Sequence, residues 1–166
     1  MTKDWLAWHE GYHLRGSPLQ ERLVAVQERL AALLEAPHPS SRALLSLCAG
    51  DGRDVIPVLE HLTPGRDCRA TLVELSPVLA ARAEQHASEA GVNVEVIVGD
   101  AGDPGVFRGA LPVDVLLLCG IFGNVPDADV ANTVAHLGGL VRSGGSVIWT
   151  RHRRPPDLTP AIRRWF

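Results

Sequence analysis

The sequence predicts an α/β fold: a doubly wound, mainly parallel sheet of five strands flanked by helices and preceded by an N-terminal helical segment. Three observations predict it. Helix-period segments alternate with short strand-like runs along the 166 residues, the pattern of βαβ crossovers. The strand-like runs are apolar almost end to end; residues 113–119 are broken only by Asp114, as expected for a strand buried on both faces. Glycines and carboxylates collect where these runs stop, and sheets of this kind bind ligands beyond the carboxyl ends of their strands.

The elements follow in order. Ser17-Pro18-Leu19-Gln20 opens a helix, with Ser17 as cap, Pro18 in the first position and Gln20 three residues past the cap. Leu19, Leu23, Val26, Leu30 and Leu33 recur at three- to four-residue spacing until Pro37 ends the run. Residues 43–48 form the first buried strand. The turn Ala49-Gly50-Asp51-Gly52 leads into a helical stretch through Val55, Val58, Leu59 and Leu62. Residues 70–75 make the second strand, and Ser76-Pro77 caps a helix with Leu79, Ala83, Ala87 and Ala90 inward and Gly91 as its stop. Residues 92–98 are the third strand and 113–119 the fourth. A helix is expected over 127–142, with Val130, Val134, Leu137 and Val141 inward; Ser143-Gly144-Gly145 then turns the chain into a fifth strand at 146–150. Pro155-Pro156 blocks continuation, and Thr159-Pro160 reads as cap and first position of a last helix.

Composition narrows the function classes. A hydrophobic fraction of 46% with 21% charged residues excludes a disordered chain. The net charge of −3 is not that of a nucleic-acid or membrane-surface electrolyte, and no apolar stretch is long enough for a bilayer span. Residues 1–12 are mixed polar and aromatic without a signal-type apolar run, and Cys48, Cys68 and Cys119 show neither paired nor metal-ligand spacing. A cytoplasmic, reduced setting is therefore expected, with one domain over 1–166. Its parts are a helical lid or cap over 1–38, an α/β core over 43–150, and a tail over 151–166 that starts the last helix. His13, His38, His61, His86 and His136 show no metal spacing, so no metal is expected.

The unusual residues fall at strand ends. The first strand runs into Cys48, Ala49, Gly50, Asp51 and Gly52, where glycines allow a sharp turn and close approach to a ligand. The second ends at Glu74 and Leu75, where a carboxylate can accept from ribose hydroxyls. The third ends at Asp100 and Ala101, an acid able to accept from an adenine amino group beside a residue small enough to admit the ring. The fourth ends at Cys119 and Gly120, followed by Ile121, Phe122, Gly123 and Asn124. Each signal alone has a plain alternative: a strand-to-helix turn for the glycines, a solvated strand end for Glu74, a turn cap for Asp100. Their joint placement at four successive strand ends argues for a nucleoside-bearing ligand.

These residues carry a resemblance. From Ala43 to about Thr150 the chain resembles a class I S-adenosylmethionine-dependent methyltransferase, a family with a Rossmann-like sheet. Leu44-Leu45-Ser46-Leu47-Cys48-Ala49-Gly50-Asp51-Gly52 is similar to that family's glycine loop, Val73-Glu74-Leu75 to its ribose-binding acid, and Gly99-Asp100-Ala101 to its adenine-side acid. The stretch from Leu140 through Val147 is similar to its glycine turn into the fifth strand. Four phrases resemble a poorly characterised bacterial branch: Trp5-Leu6-Ala7-Trp8-His9, Leu47 through Asp54, Cys119 through Asn124, and Trp149-Thr150-Arg151-His152-Arg153. The sequence departs from the family at two points. Ser46 stands where the family has an acid inside strand one, and Cys48 replaces its first loop glycine. Asp51 or Asp54 is the candidate substitute for that acid.

The resemblance implies S-adenosyl-L-methionine as cofactor and methyl transfer to a small-molecule acceptor. With the methyl already activated, the protein would mostly position the reactants and exclude water, needing a general base only if the accepting atom carries a proton. His9 and His152 are the candidates for that base. Trp5, Trp8 and Tyr12 precede the first helix and read either as an aromatic lid or as a plug tying the N-terminus to the sheet. Phe122, Asn124 and Arg151 complete the expected acceptor side. Arg151, Arg153, Arg154, Arg163 and Arg164 concentrate positive charge against Asp157. That charge could attract an anionic acceptor or RNA phosphate; no nucleic-acid motif accompanies it, and a solvated basic face is the default. A nicotinamide-dependent oxidoreductase is the alternative enzyme, disfavoured because Val55 holds the third glycine position of GxGxxG; a non-catalytic nucleotide-binding or interaction module is the other. Relatives of this fold continue past the last helix into a strand pair, so the end at Trp165-Phe166 raises two expectations. One is a shortened chain; the other is a fifth-strand edge covered by a second copy in a homodimer.

Overall fold

A computed structural model describes Tyr12 and residues 16–166. Five strands, β1 (Arg42–Leu47), β2 (Cys68–Glu74), β3 (Val94–Val98), β4 (Val113–Leu118) and β5 (Val141–Trp149), form one sheet in the order β3-β2-β1-β4-β5. Every pairing is parallel, with Leu44 of β1 opposite Ala70 of β2 and Val115 of β4. The strand order reverses between β1 and β4, which creates the switch point expected from the sequence.

Helices cover both faces. On one lie α1 (Pro18–Glu35), α2 (Ile56–Glu60) and α3 (Pro77–Ala90); Val26, Leu30 and Leu34 of α1 join Leu44, Leu72, Val115 and Leu117 in one core. On the other lie α4 (Pro104–Phe107), α5 (Asp127–Ala135), α6 (Leu137–Leu140) and α7 (Thr159–Trp165). Val130, Val134, Leu137 and Ile162 pack there with Leu45, Leu47, Leu116 and Leu118. Sorting successive strand residues to opposite cores is the period-two geometry of a strand covered on both sides.

The helix starts follow from their caps. Ser17 Oγ accepts from the Gln20 amide at 3.2 Å, and the Gln20 side chain reaches back to accept from the Gly16 amide at 2.7 Å. Ser76 caps α3 through the Leu79 amide, and Gly91 ends it in the left-handed conformation, φ 66°. The last helix differs from expectation: Thr159 does not cap it. Asp157 Oδ1 accepts from the Thr159 amide at 2.9 Å, while the Thr159 hydroxyl is buried.

A second difference concerns the expected helix over 127–142 and the turn at 143–145. The helix is interrupted after Ala135, resumes as α6, and gives way to β5 already at Val141. Ser143-Gly144-Gly145 is a bulge within the strand: the partner of β4 moves from Val141 opposite Val113 to Ser146 opposite Val115. Gly144 takes φ 79°, and a Cβ on Gly145 would lie 2.8 Å from the Asp114 carbonyl oxygen, so the glycines serve a close backbone approach. Asp114, the one polar residue of β4, ties three strands at their amino ends. Its Oδ2 accepts from the Ala43 amide at 2.7 Å and from Arg142 Nη1 at 2.6 Å.

Candidate functional site

At the carboxyl ends of the strands, above the β1/β4 switch point, lies a crevice of about 1010 Å³. Cys48, Gly50, Glu74, Leu75, Asp100, Ala101, Cys119 and Gly120 all line it, and so do Asn124, Arg151 and His152. Cys48 adopts φ 55°, a left-handed conformation that costs a side-chain-bearing residue and marks a turn held by its surroundings. Gly50, at φ 60°, follows. A Cβ on Gly120 would lie 3.2 Å from the Cys48 carbonyl oxygen, so the first and fourth strand ends meet closely at the floor.

Glu74 organises one wall. Its Oε2 accepts from the Gly50 amide at 2.8 Å and its Oε1 from the Ser76 amide at 2.9 Å. A carboxylate has about four lone-pair sites, so both oxygens keep capacity for a ligand's hydroxyls after these two bonds. Asp100 Oδ1 accepts from the Gly102 amide at 2.8 Å, an Asx turn at the end of β3. Between these acids the exposed side chain of Leu75 and the half-buried Ala101 supply apolar surface. The Cys48 thiol opens to the crevice, yet desolvation of its sulfur, with the carboxylates of Glu74 and Asp100, pushes its pKa up to about 12. It is a neutral lining group at physiological pH.

Other sequence-selected residues lie elsewhere. Ala49 is buried in the core on the α1 face. Gly52 has φ 78°, a left-handed backbone that strains any side chain, and a Cβ there would also press on Ile56 Cδ1 at 2.4 Å, so local conformation and packing account for this glycine. Asp51 turns from the crevice, ion-pairs with Arg53, and lines a second cavity of about 510 Å³ with His86 and Tyr12. Tyr12 is therefore on that cavity, its ring 4.4 Å under the Arg53 guanidinium carbon, and is not a wall of the crevice. Phe122 is fully buried against Trp149, ring centroids 6.0 Å apart; it is core and not acceptor surface. The remaining N-terminal candidates, Trp5, Trp8 and His9, lie outside the described residues.

Of the two candidate substitutes for the strand-one acid, Asp51 is committed to Arg53. Asp54 is half-buried, with its Oδ1 shielded from solvent and without a hydrogen-bond partner among the described residues. Burial pushes its carboxyl up against the pull of Arg22 and Arg53, with Asp51 adding to the rise. Neither lines the crevice. The cation beside them does: Arg22 of α1 faces the crevice, its Nη1 donating to the Cys119 carbonyl at 3.0 Å and its Nη2 to the Tyr12 hydroxyl. Sequence reading missed Arg22. Its place beside the apolar stripe of α1 was visible, but which end of that helix overhangs the strand ends is decided by packing.

On the side of β5, Arg151 Nη1 donates to the Phe122 carbonyl and Nη2 pairs with Asp127 Oδ1 at 3.2 Å, joining the loop after β4 to the segment after β5. Asn124 Nδ2 donates to the Gly120 carbonyl at 2.6 Å and fixes the same loop. His152 Nδ1 accepts from the Arg154 amide at 3.3 Å. Trp149 is stacked by Phe166 at 6.1 Å with 12° between the rings.

A family model described as a methyltransferase domain matches residues 44–145. Among curated proteins, a ribosomal RNA small subunit methyltransferase B of Sodalis glossinidius (strain morsitans) is 30% identical over 131 residues, which are 77% of this chain and 26% of the relative. Among solved structures, an S-adenosylmethionine-dependent methyltransferase of Thiobacillus denitrificans, in complex with S-adenosyl-L-homocysteine, superposes with a TM-score of 0.55. Its sequence is 23% identical, over 75% of this chain and 47% of that one. A methyltransferase of Pyrococcus furiosus superposes with a TM-score of 0.58 at 14% identity, over 84% of this chain and 69% of that one. The chain thus spans about a quarter of the curated relative and about half of the first of these structures. At such identities the structural likeness is one of fold.

Proposed function

The chain belongs to the methyltransferase-domain family, and from that premise we propose that it is an S-adenosyl-L-methionine-dependent methyltransferase acting on a small-molecule acceptor. The observation that carries the reading is the pair of carboxylates at adjacent strand ends, Glu74 and Asp100, facing one crevice with the Gly50 loop pinned to Glu74. The donor chemistry fits the group: acids for ribose hydroxyls and an adenine amine, apolar surface at Leu75 and Ala101 for a ring, and negative charge for a cation. Bound S-adenosylmethionine would supply a methyl group already activated on a sulfonium.

The chain's own part is then positional. Glu74 holds the ribose, and its bonds to the Gly50 and Ser76 amides keep its oxygens fixed before a ligand arrives, so little reorganisation is needed. Gly120 lets the end of β4 approach the reacting end of the ligand without a Cβ in the way. Arg22, set by the Cys119 carbonyl, faces the amino-acid end and suits its carboxylate; in this reading it bears on the end of the ligand that the family's strand-one acid would otherwise hold. His152 is the base where an acceptor requires one.

Calorimetric titration of the chain with S-adenosylhomocysteine, NAD and NADP tests the reading. Binding of the first alone, weakened at least about tenfold by Glu74→Ala, is expected. Binding of the dinucleotides instead would favour an oxidoreductase, and binding of none an interaction module. The outer edge of β5 pairs with no other strand of the described residues, which supports a second copy of the chain there; sedimentation velocity giving a monomer at all concentrations would count against it. No helix among the described residues is long and apolar enough to cross a membrane.

A further inference from the structure

The charges lining the crevice are sorted by side. Its carboxylates, Glu74 and Asp100, stand at the ends of β2 and β3. The guanidiniums opposite come from the segment after β5 and from α7: Arg151, Arg153, Arg154 and Arg163. Asp127 pairs with Arg151, and Asp157 lies near enough to Arg153 and Arg151 for both to lower its pKa, after its bonds to Thr159. Two carboxylates thus face four guanidiniums, with Arg22 of α1 a fifth guanidinium on the crevice, held by the Cys119 carbonyl and the Tyr12 hydroxyl. Arg154 and Arg163, both exposed, make no ion pair among the described residues.

We propose that this basic half is the acceptor subsite and that the acceptor is a small anion, bearing a carboxylate or a phosphate, held by Arg154 and Arg163. The proposal deepens the methyltransferase reading and rests on it. Guanidinium forks match both oxyanions and bind them more strongly than neutral donors do. A positive wall opposite an acidic one also orders two ligands of opposite charge: a cationic methyl donor belongs against Glu74 and Asp100, and an anion against the arginines. The two would then attract each other across the gap. A long polyanion is disfavoured by the two acids in the same crevice and by the chain's net charge of −3.

The test titrates inorganic pyrophosphate and citrate into the full chain at low salt, with and without saturating S-adenosylhomocysteine. The same titrations are run on Arg154→Gln/Arg163→Gln and on Arg82→Gln, an exposed α3 control. The expected result is submillimolar binding of at least one anion, weakened at least about tenfold in the double variant and within about twofold of the parent in the control; which anion binds separates a phosphate-bearing from a carboxylate acceptor. Binding of neither, or equal weakening by Arg82→Gln, would overturn the proposal. So would tighter binding of a single-stranded RNA oligonucleotide, with a salt dependence of several phosphates. S-adenosylhomocysteine binding without anion binding sinks the anion subsite alone. Anion binding without S-adenosylhomocysteine binding sinks the methyltransferase reading and leaves an anion site.

Discussion

Asp54 and Asp114 are both shielded carboxylates, and the fold treats their charges in opposite ways. Burial raises the Asp54 carboxyl beyond what Arg22 and Arg53 can offset. The folded state therefore holds its proton more tightly than the unfolded one, and stability falls as pH rises through the ordinary aspartate value, about 4. Asp54→Asn is expected to be more stable than the parent at pH 7, with the gain fading towards pH ~3, by urea unfolding at both. At Asp114 burial alone would also raise the carboxyl, but the Ala43 amide, Arg142 and His38 outweigh it and hold it below the ordinary value. Its contribution is present above the unfolded value and lost as pH falls through the lower folded one. Asp114→Asn is therefore expected to cost about 2 kcal/mol at pH 7, with the difference shrinking in acid. A stabilised Asp114→Asn would contradict the three-strand tie. Asp114 was conspicuous in the sequence as the one polar residue of an apolar strand, and Glu74 and Asp100 as acids where strands stop. Phe122 is core where the sequence suggested acceptor surface, and Tyr12 stood open between lid and plug, because such aromatics can face crevice or core and only the packed neighbours decide which.

At the scale of elements, strands and caps were legible where local chemistry leaves one choice: Ser-Pro with a following helix period, an apolar run ending in glycine, a left-handed stop at Gly91. The fifth strand was misplaced because two adjacent glycines serve a turn and a bulge equally well; the choice fell to the register against β4, a contact distant in sequence. The last helix starts one residue earlier than its Thr-Pro signature suggested: Leu158 holds the cap position, its carbonyl accepting from the Ile162 amide, and Asp157 accepts from the Thr159 amide. α7 packs on α5 through the fully buried Ile162 and carries Phe166 onto Trp149. Ile162→Ala is expected to cost about 3 kcal/mol in chemical denaturation and to change the tryptophan emission as the Trp149–Phe166 stack loosens. A loss under ~1 kcal/mol with unchanged emission would mean that α7 is not anchored there.

At the scale of the whole molecule, two helical layers on a parallel sheet leave, among the described residues, a crevice at the strand ends of the switch point, and the charged side chains of the strand ends and of the β5–α7 side divide into an acidic and a basic half. The topology, the switch point and the acidic half follow from residues close in sequence to the strand ends. The basic half and Arg22 do not, because they depend on how α7 and α1 pack across the opening. The central claim is that Glu74 and its neighbours hold a nucleoside-bearing methyl donor. Calorimetry of the parent and Glu74→Ala with S-adenosylhomocysteine tests it most directly. The account predicts one site in the parent and affinity reduced at least about tenfold in the variant; no binding by the parent, or equal affinity in the two, would contradict it.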